Sequence, residues 1–152
     1  MIGDVLFYKN GSSWGDKVIA WYEHSDIVHC SVQVSDTEMI EALSGGIEMN
    51  HLREPAIACS IKEHSSNYDE QDLRVALDWL RSMVGNPYGW IDIANAANPL
   101  QKYLYFVAPN YYDCSALTIV YLDKVGGIDL KGMELDPHRC TPIQIAKTLH
   151  VA

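Results

Sequence analysis

The sequence lacks a long apolar run, and it has few basic residues. No stretch approaches the ~18 consecutive apolar residues of a membrane-spanning helix, and the opening MIGDVLFYKNG has an acid at position 4, so we expect no export signal. Eleven Lys and Arg against 20 Asp and Glu give a formal net charge of −9. This charge repels phosphate backbones and anionic lipids, so no nucleic-acid partner and no stable membrane insertion are expected. A chain of this kind is expected to be cytoplasmic as synthesised.

Cysteine is also scarce. The four cysteines are too few for a disulfide scaffold in 152 residues, and no pair has the CxxC spacing of zinc or dithiol sites. We therefore expect reduced thiols. Cys30 and Cys59 lie in apolar strand-like runs, which is typical of a small buried hydrophobe. Cys140 lies in the loop PHRCTP without an obvious activator, and the fourth, Cys114, is considered below.

The remaining composition is that of a globular protein. Hydrophobic residues make up 48% and charged residues 20%, with no internal repeat and no dividing linker. We predict a single domain over residues 1–152 and an α+β fold, with strands near the front and helices behind. The predicted strands are GDVLFY, IVHCSVQV, EMIEAL and AIACSI. The predicted helices cover residues 14–23, 69–84, two short stretches within 90–107, a segment from about Cys114, and TPIQIAKTLH.

Capping residues mark the starts of three of these helices. Asn67 and Glu70 have capping-box spacing before the helix over 69–84. Asp113 is a favoured N-cap type, and Thr141 precedes a proline at the first helical position.

Cys114 occupies a position that activates thiols. It follows Asp113 at the predicted helix start, so its sulfur should lie in the field of unpaired backbone N–H groups. That field lowers the thiol pKa from its usual ~8.5, and the same N–H groups can stabilise an oxyanion when a thiolate adds to an amide or ester. The Asp113 carboxylate opposes the effect unless it is turned into the cap. The alternative is a cysteine that only packs at a helix start.

A thiol nucleophile also needs a base, and six histidines are available. His29 lies on the polar face of a strand that is otherwise patterned for the core, a rigid site where an imidazole can be aimed. The others lie in predicted loops or at element ends, where a solvated histidine is the ordinary expectation: His24, His51, His64, His138 and His150. His29 is therefore the candidate base, and a hydrogen-bonded imidazole on a half-exposed sheet is the alternative.

Strand arithmetic places a carboxylate near this imidazole. A hairpin centred on Asp36, with a three-residue loop, pairs Ser31 with Glu41 on the face that carries His29. Glu41 then lies diagonally from the imidazole, at the ~7–8 Å spacing that long side chains can bridge. A two-residue loop would place it on the opposite face, and a solvated strand residue is the other alternative. Two acids without a strand to position them also compete for this role: Glu23 and Asp26.

Six motifs follow one another in an order found in a known enzyme family. They are GDVLFY, VHCSVQV, EMIEALSGGI, VGNPYGW, YDCSAL and TPIQIAKT. In this order, with His29 before Cys114, the chain resembles the circularly permuted NlpC-like branch of the papain-fold cysteine hydrolases. It departs from that pattern at Ala116, where many relatives have Gly or Glu, and at Cys30 and Ser31, which replace a common hydroxyl and glycine.

The resemblance implies a permuted papain-like core, in which an antiparallel sheet packs against helices. It implies that Cys114 is the nucleophile, that His29 acts as base and then as acid, and that Glu41 orients the imidazole. It implies no metal and no organic cofactor. It also places three further residues beside the substrate: Tyr88, Asp113 and Ser115.

The same resemblance implies cleavage of amide bonds, in peptidoglycan stem peptides or related peptides. Hydrolysis or transfer of lipid acyl groups is the alternative within the family, and a non-catalytic binding or structural module is the alternative outside it. A cell-wall substrate would require release by lysis or association with a virion. The pattern gives no oligomeric state. Five aromatic residues either line a groove for sugar or peptide or belong to the core and its rim: Trp14, Trp21, Trp90, Tyr111 and Tyr112.

Overall fold

Five strands form one antiparallel sheet in the computed structural model, which describes residues 1–9, 25–64, 68–89, 111–126, 136–137 and 140–151. The strands are β1 (Val5–Lys9), β2 (Ile27–Gln33), β3 (Glu38–Leu43), β4 (Gly46–His51) and β5 (Ile57–Cys59). Their order across the sheet is β4-β3-β2-β1-β5. Every pairing between neighbours is antiparallel.

Two of the four helices in the described part pack against this sheet. The four are α1 (Ile61–His64), α2 (Glu70–Ser82), α3 (Cys114–Val125) and α4 (Pro142–Thr148). α3 packs against α2 and against β2 and β3, and α4 packs against β2 and α3. Strands and helices thus share one apolar core, and the predicted α+β class is confirmed. None of these four helices has the length and apolar character needed to cross a membrane.

The β2–β3 hairpin has the predicted register. Val32 pairs with Ile40 and Gln33 with Met39, and the Val34 N–H donates to the Glu38 carbonyl oxygen at 3.0 Å, so the turn is centred on Asp36. This ladder is short. β2 and β3 pair only at these two positions, so their ladder ends before it reaches His29 and Glu41. On their other edges, β2 pairs with β1 and β3 pairs with β4 along its whole length.

Both faces of β2 are buried, so the polar face predicted from the alternation does not meet solvent and the alternative of a half-exposed sheet is wrong. Every residue from Ile27 to Gln33 is buried. The face that carries His29 is covered by a second apolar cluster, which consists of Leu6, Tyr8 and Met39 with Leu52 packed against it. The alternation of polar residues along β2 therefore marks a buried polar site and not a solvated surface.

Several element boundaries differ from the sequence prediction. β4 was not predicted, and the strand predicted over AIACSI ends at Cys59 because the chain turns into helix α1 at Ile61. The N-cap of α2 is Asp69, whose side chain accepts a hydrogen bond from the Gln71 N–H at 2.8 Å, and the helix ends at Ser82. Three predictions fall outside the described residues: the helix over 14–23, the two short helices within 90–107, and capping by Asn67.

The segment after α2 is tied to β4 and leads toward the start of α3. The Ile47 N–H donates to the Asn86 carbonyl oxygen at 2.8 Å. Gly46 has a φ of +137°, and a Cβ there would lie 2.7 Å from that same oxygen, so only glycine fits. The segment continues to Tyr88, which forms a parallel bridge with Tyr112, two residues before Cys114.

Candidate active site

The helix α3 begins at Cys114, as predicted. The Asp113 Oδ1 accepts a hydrogen bond from the Ala116 N–H at 2.7 Å, and the Asp113 carbonyl oxygen accepts one from the Leu117 N–H at 3.0 Å. The carboxylate is therefore turned into the cap, which is the condition that activation of the neighbouring thiol required. The N–H groups of Cys114 and Ser115 occupy the first two helical positions, where no intrahelical acceptor exists. Cys114 thus lies at the positive end of a twelve-residue helix.

An imidazole and a carboxylate meet beside this helix start. The Nε2 of His29 lies 2.7 Å from the Oε2 of Glu41, and the two residues are only 7% and 0% exposed. Because Nε2 is engaged by the carboxylate, Nδ1 is the ring nitrogen available to Cys114. The side chains of His29 and Cys114 interact by hydrogen bond and by charge. The structure therefore brings together the three residues that the sequence singled out.

Glu41 is buried and ionised. Arg53 donates two hydrogen bonds to it, from Nη1 to Oε1 at 3.0 Å and from Nη2 to Oε2 at 2.6 Å, and Asn50 donates to Oε1 at 3.2 Å. Burial alone would raise the pKa of Glu41, but the hydrogen bonds and charges of His29 and Arg53 outweigh it and lower that pKa. The alternative of a solvated strand residue is wrong.

Tyr8 connects the arginine to the imidazole. The guanidinium carbon of Arg53 lies 4.5 Å from the centre of the Tyr8 ring, and that ring lies 5.9 Å from the His29 ring at an interplanar angle of 37°. The Tyr8 hydroxyl in turn lies 3.1 Å from the sulfur of Met39. The imidazole is thus held by a carboxylate and packed against a fixed aromatic ring, which restricts its orientation.

The resting charge state follows from these contacts. Burial would lower the pKa of His29, but the hydrogen bonds and charges of Cys114 and Glu41 outweigh it and raise the pKa to about 10. The pKa of Cys114 is lowered well below its ordinary value, most strongly by the Cys30 thiol and then, against burial, by His29. Both shifts favour a thiolate beside an imidazolium at neutral pH, which is the ionised form of an activated cysteine nucleophile.

Cys30 is buried in the apolar core, as predicted, and it also lies against the start of α3. Its sulfur lies 3.3 Å from the carbonyl oxygen of Cys114 and 3.3 Å from the Oγ1 of Thr118. Burial, and then the neighbouring Cys114 thiolate, raise the pKa of Cys30 well above its ordinary value. Cys30 therefore stays a protonated donor beside an ionised sulfur.

The three residues expected beside the substrate differ in burial. Asp113 and Ser115 flank Cys114 but are buried, and Asp113 caps the helix. Tyr88 is half-buried and packs against the core, and its bridge with Tyr112 is extended by a hydrogen bond from the Gly89 N–H to the Tyr112 carbonyl oxygen at 2.9 Å. Contact of these three residues with a substrate stays a prediction.

Only two of the five aromatic residues considered for a groove lie within the described residues. Tyr111 is exposed, whereas Tyr112 packs edge-on against Trp79, with ring centres 6.2 Å apart. The remaining three aromatic residues of the predicted groove lie outside the described residues: Trp14, Trp21 and Trp90.

The competing bases and acids differ from His29 and Glu41 in burial. Asp26 is exposed, so it lacks the enclosed position that Glu41 has. Three of the other histidines are exposed at the positions expected for solvated side chains: His51, His64 and His150. Glu23, His24 and His138 lie outside the described residues.

Sequence reasoning missed two partners of the carboxylate, Asn50 and Arg53. Asn50 lies on β4, and the dipeptide Ser44-Gly45 followed by alternating apolar and polar residues was the available turn and strand signal. Arg53 follows β4 in an irregular segment, where no periodic pattern indicates which way a side chain points.

Comparisons with known proteins do not supply a family. No family model matches the chain, and no curated protein matches it at a significant level. Within the described ranges, no group of three or more His, Cys, Asp or Glu side chains is arranged to hold a metal ion. The functional argument therefore depends on the geometry around Cys114.

Proposed function

We propose that this protein is a cysteine hydrolase that cleaves amide bonds through Cys114, His29 and Glu41. The observation that carries the proposal is the buried imidazole of His29, which is bound by a carboxylate at 2.7 Å on one side and interacts with a thiol of lowered pKa on the other. A thiol, a base and a group that orients the base are the three parts that nucleophilic catalysis by cysteine needs.

In the first chemical step, the Cys114 thiolate attacks the carbonyl carbon of the amide. A C–S bond forms, and the carbonyl electron pair moves to oxygen and gives a tetrahedral oxyanion. The N–H groups of the first turn of α3 are the donors placed for that charge, with the Cys114 N–H nearest to the reacting sulfur. The His29 imidazolium then gives its proton to the leaving amine nitrogen, the C–N bond breaks, and a thioester remains.

The pKa of His29 changes in the direction that the second step requires. The interactions that raise this pKa most are those with the charged Cys114 sulfur. Once that sulfur is acylated its charge is gone, so the pKa of His29 falls. The imidazole is then neutral and can accept a proton from water. Water attacks the thioester carbon, the C–S bond breaks, and Cys114 leaves as thiolate while His29 is protonated again. Glu41 stays ionised throughout and holds Nε2.

The core that we propose is the permuted papain-like type of the NlpC-like enzymes. Three features support it: an antiparallel sheet with the histidine on one strand, a helix that begins at the cysteine and packs on that strand and its neighbour, and the order of His29 before Cys114 in the chain. The departures at Cys30 and Ala116 leave the chemistry intact because neither replaces a member of the triad.

For the substrate we propose a peptide amide, with peptidoglycan stem peptides as the first class to test. The net charge of −9 disfavours binding to anionic lipid surfaces, which makes acyl transfer from lipids the less suited chemistry. Peptides and muropeptides are reached from the aqueous phase and need no such surface.

The test is a hydrolysis panel on purified chain. Stem-peptide muropeptides, an isopeptide and a short-chain acyl ester in solution, and phospholipid vesicles are incubated with wild type, and new amine, carboxylate or free fatty acid is measured by chromatography and mass spectrometry. We expect amide cleavage that falls at least about a thousandfold in Cys114→Ala. Cys140→Ala is the matched control, because it removes a buried thiol that the mechanism does not use, and its rate should stay within about twofold of wild type.

Two results would contradict the proposal. Hydrolysis of the lipid ester without cleavage of any amide would assign the alternative acyl chemistry. Absence of turnover on the whole panel, together with no acyl adduct on Cys114 after treatment with an activated ester, would assign a binding module.

A further inference from the structure

We propose that Cys30 is the resolving thiol of a peroxide-sensitive pair, so that oxidation of Cys114 ends in a reversible Cys30–Cys114 disulfide. The inference rests on the proposed function only because the oxidised thiol is the proposed nucleophile. It adds a modification site, since Cys30 forms and breaks no bond in the steps above.

The geometry of the pair is the first support. The Cys30 sulfur lies 3.3 Å from the backbone carbonyl oxygen of Cys114 and 3.3 Å from the Oγ1 of Thr118, so it packs against the first turn of α3. Cys30 comes from the middle of a strand and Cys114 from the first residue of a helix.

Ionisation sets the order of events. Both thiols are buried, so only a small oxidant can reach them. Cys114 is the ionised member of the pair, and the thiolate is the form that reacts with peroxide. Cys30 is protonated and enclosed, which protects it from direct oxidation.

The first step consumes a hydroperoxide. The Cys114 thiolate attacks one peroxide oxygen, an S–O bond forms and the O–O bond breaks. Cys114 is oxidised to a sulfenic acid, the peroxide is reduced, and hydroxide leaves.

The second step consumes the Cys30 thiol. Once Cys114 carries no charge, the interactions with its thiolate that help keep Cys30 protonated are removed, although burial remains. Cys30 loses its proton and attacks the Cys114 sulfur, an S–S bond forms and the S–O bond breaks. The departing hydroxide takes the proton and leaves as water. The triad then lacks its nucleophile until a dithiol reductant restores both thiols.

The experiment follows thiols and mass on the folded chain with hydrogen peroxide as oxidant. The four free cysteines should fall to two, the mass should decrease by about 2 Da, and peptide mapping should recover one cross-linked peptide that contains Cys30 and Cys114. Dithiothreitol should restore all four thiols. In Cys30→Ala the same treatment should instead add two or three oxygen atoms to Cys114, and dithiothreitol should not reverse that change.

Cys59→Ala and Cys140→Ala are the matched controls, and both should still form the disulfide. The wild-type peptide map decides the question even if Cys30→Ala folds poorly, which circular dichroism would reveal. Over-oxidation of Cys114 in wild type, or a disulfide to any other cysteine, would overturn the inference. Because the readout is mass and thiol count, these results are independent of whether any substrate is hydrolysed.

Discussion

Ionisation of Cys114 can be measured through its alkylation rate at different pH values. Iodoacetamide reacts with thiolate and not with thiol, so the rate follows the ionised fraction. A thiol with a pKa of ~8.5 loses about a hundredfold of its thiolate between pH 7 and pH 5. The pKa of Cys114 is lowered well below the ordinary value by Cys30 and His29, so we expect its labelling rate to fall by much less than this hundredfold over that range.

The upper end of the profile reports on the imidazole. His29 has a pKa raised to about 10, so the thiolate keeps its imidazolium partner up to that pH and a second change in rate should occur there. Glu41 contributes to this raised value, and Glu41→Gln should therefore move the second change to lower pH. His29→Ala removes the cation but leaves Cys30 in place, so labelling in that variant should fall more steeply between pH 7 and pH 5 than it does in wild type.

The assay resolves Cys114 from the three other thiols by peptide mass spectrometry, with the urea-unfolded chain as the reference for an ordinary thiol. A hundredfold fall for Cys114 in the folded wild type, parallel to the unfolded reference, would refute the reasoning. A flat profile that is unchanged in His29→Ala would show that the imidazole is not the partner.

Two further predictions concern stability. Because the folded-state pKa of Glu41 is lowered, its stabilisation is present above the ordinary carboxyl pKa of ~4.3 and is lost as the pH falls through the folded value. Glu41→Gln should lower the free energy of unfolding at pH 7 by about 1.5–3 kcal/mol, with the deficit shrinking toward pH 3 in urea titrations; a deficit independent of pH would contradict the charge argument. Tyr121 is fully buried, and its hydroxyl donates to the Gly3 carbonyl oxygen at 2.8 Å, so Tyr121→Phe should cost about 1 kcal/mol in the same titrations and leave Cys114 labelling unchanged. Altered labelling in that variant would mean that the core and the site are coupled.

The parts of the site that the sequence predicted are those with local signals. Asp113 before Cys114 is a capping pattern that spans two residues, and the placement of Glu41 needed only the length of one turn. Both are consequences of short-range geometry, so periodicity and turn chemistry were sufficient to find them.

The parts that the sequence did not predict depend on contacts between distant segments. Cys30 is 84 residues from Cys114 along the chain, and only packing of α3 on β2 reveals that they meet. The burial of the His29 face has the same origin, since Leu6 and Tyr8 arrive from β1. The alternation of polar and apolar residues along a strand is the same whether the polar face meets water or apolar neighbours, so the pattern of β2 alone does not predict that its polar face is buried.

The cost of burying charge at this face argues for a chemical role. Replacement of a buried ion pair by apolar residues of similar volume is often neutral or stabilising, by about 1–4 kcal/mol. Apolar side chains already lie beside the pair, in the cluster of Leu6, Tyr8 and Met39. Stability alone therefore does not account for the ion pair. The function proposed above accounts for it, because perturbed titratable groups that converge on a nucleophile are what catalysis uses.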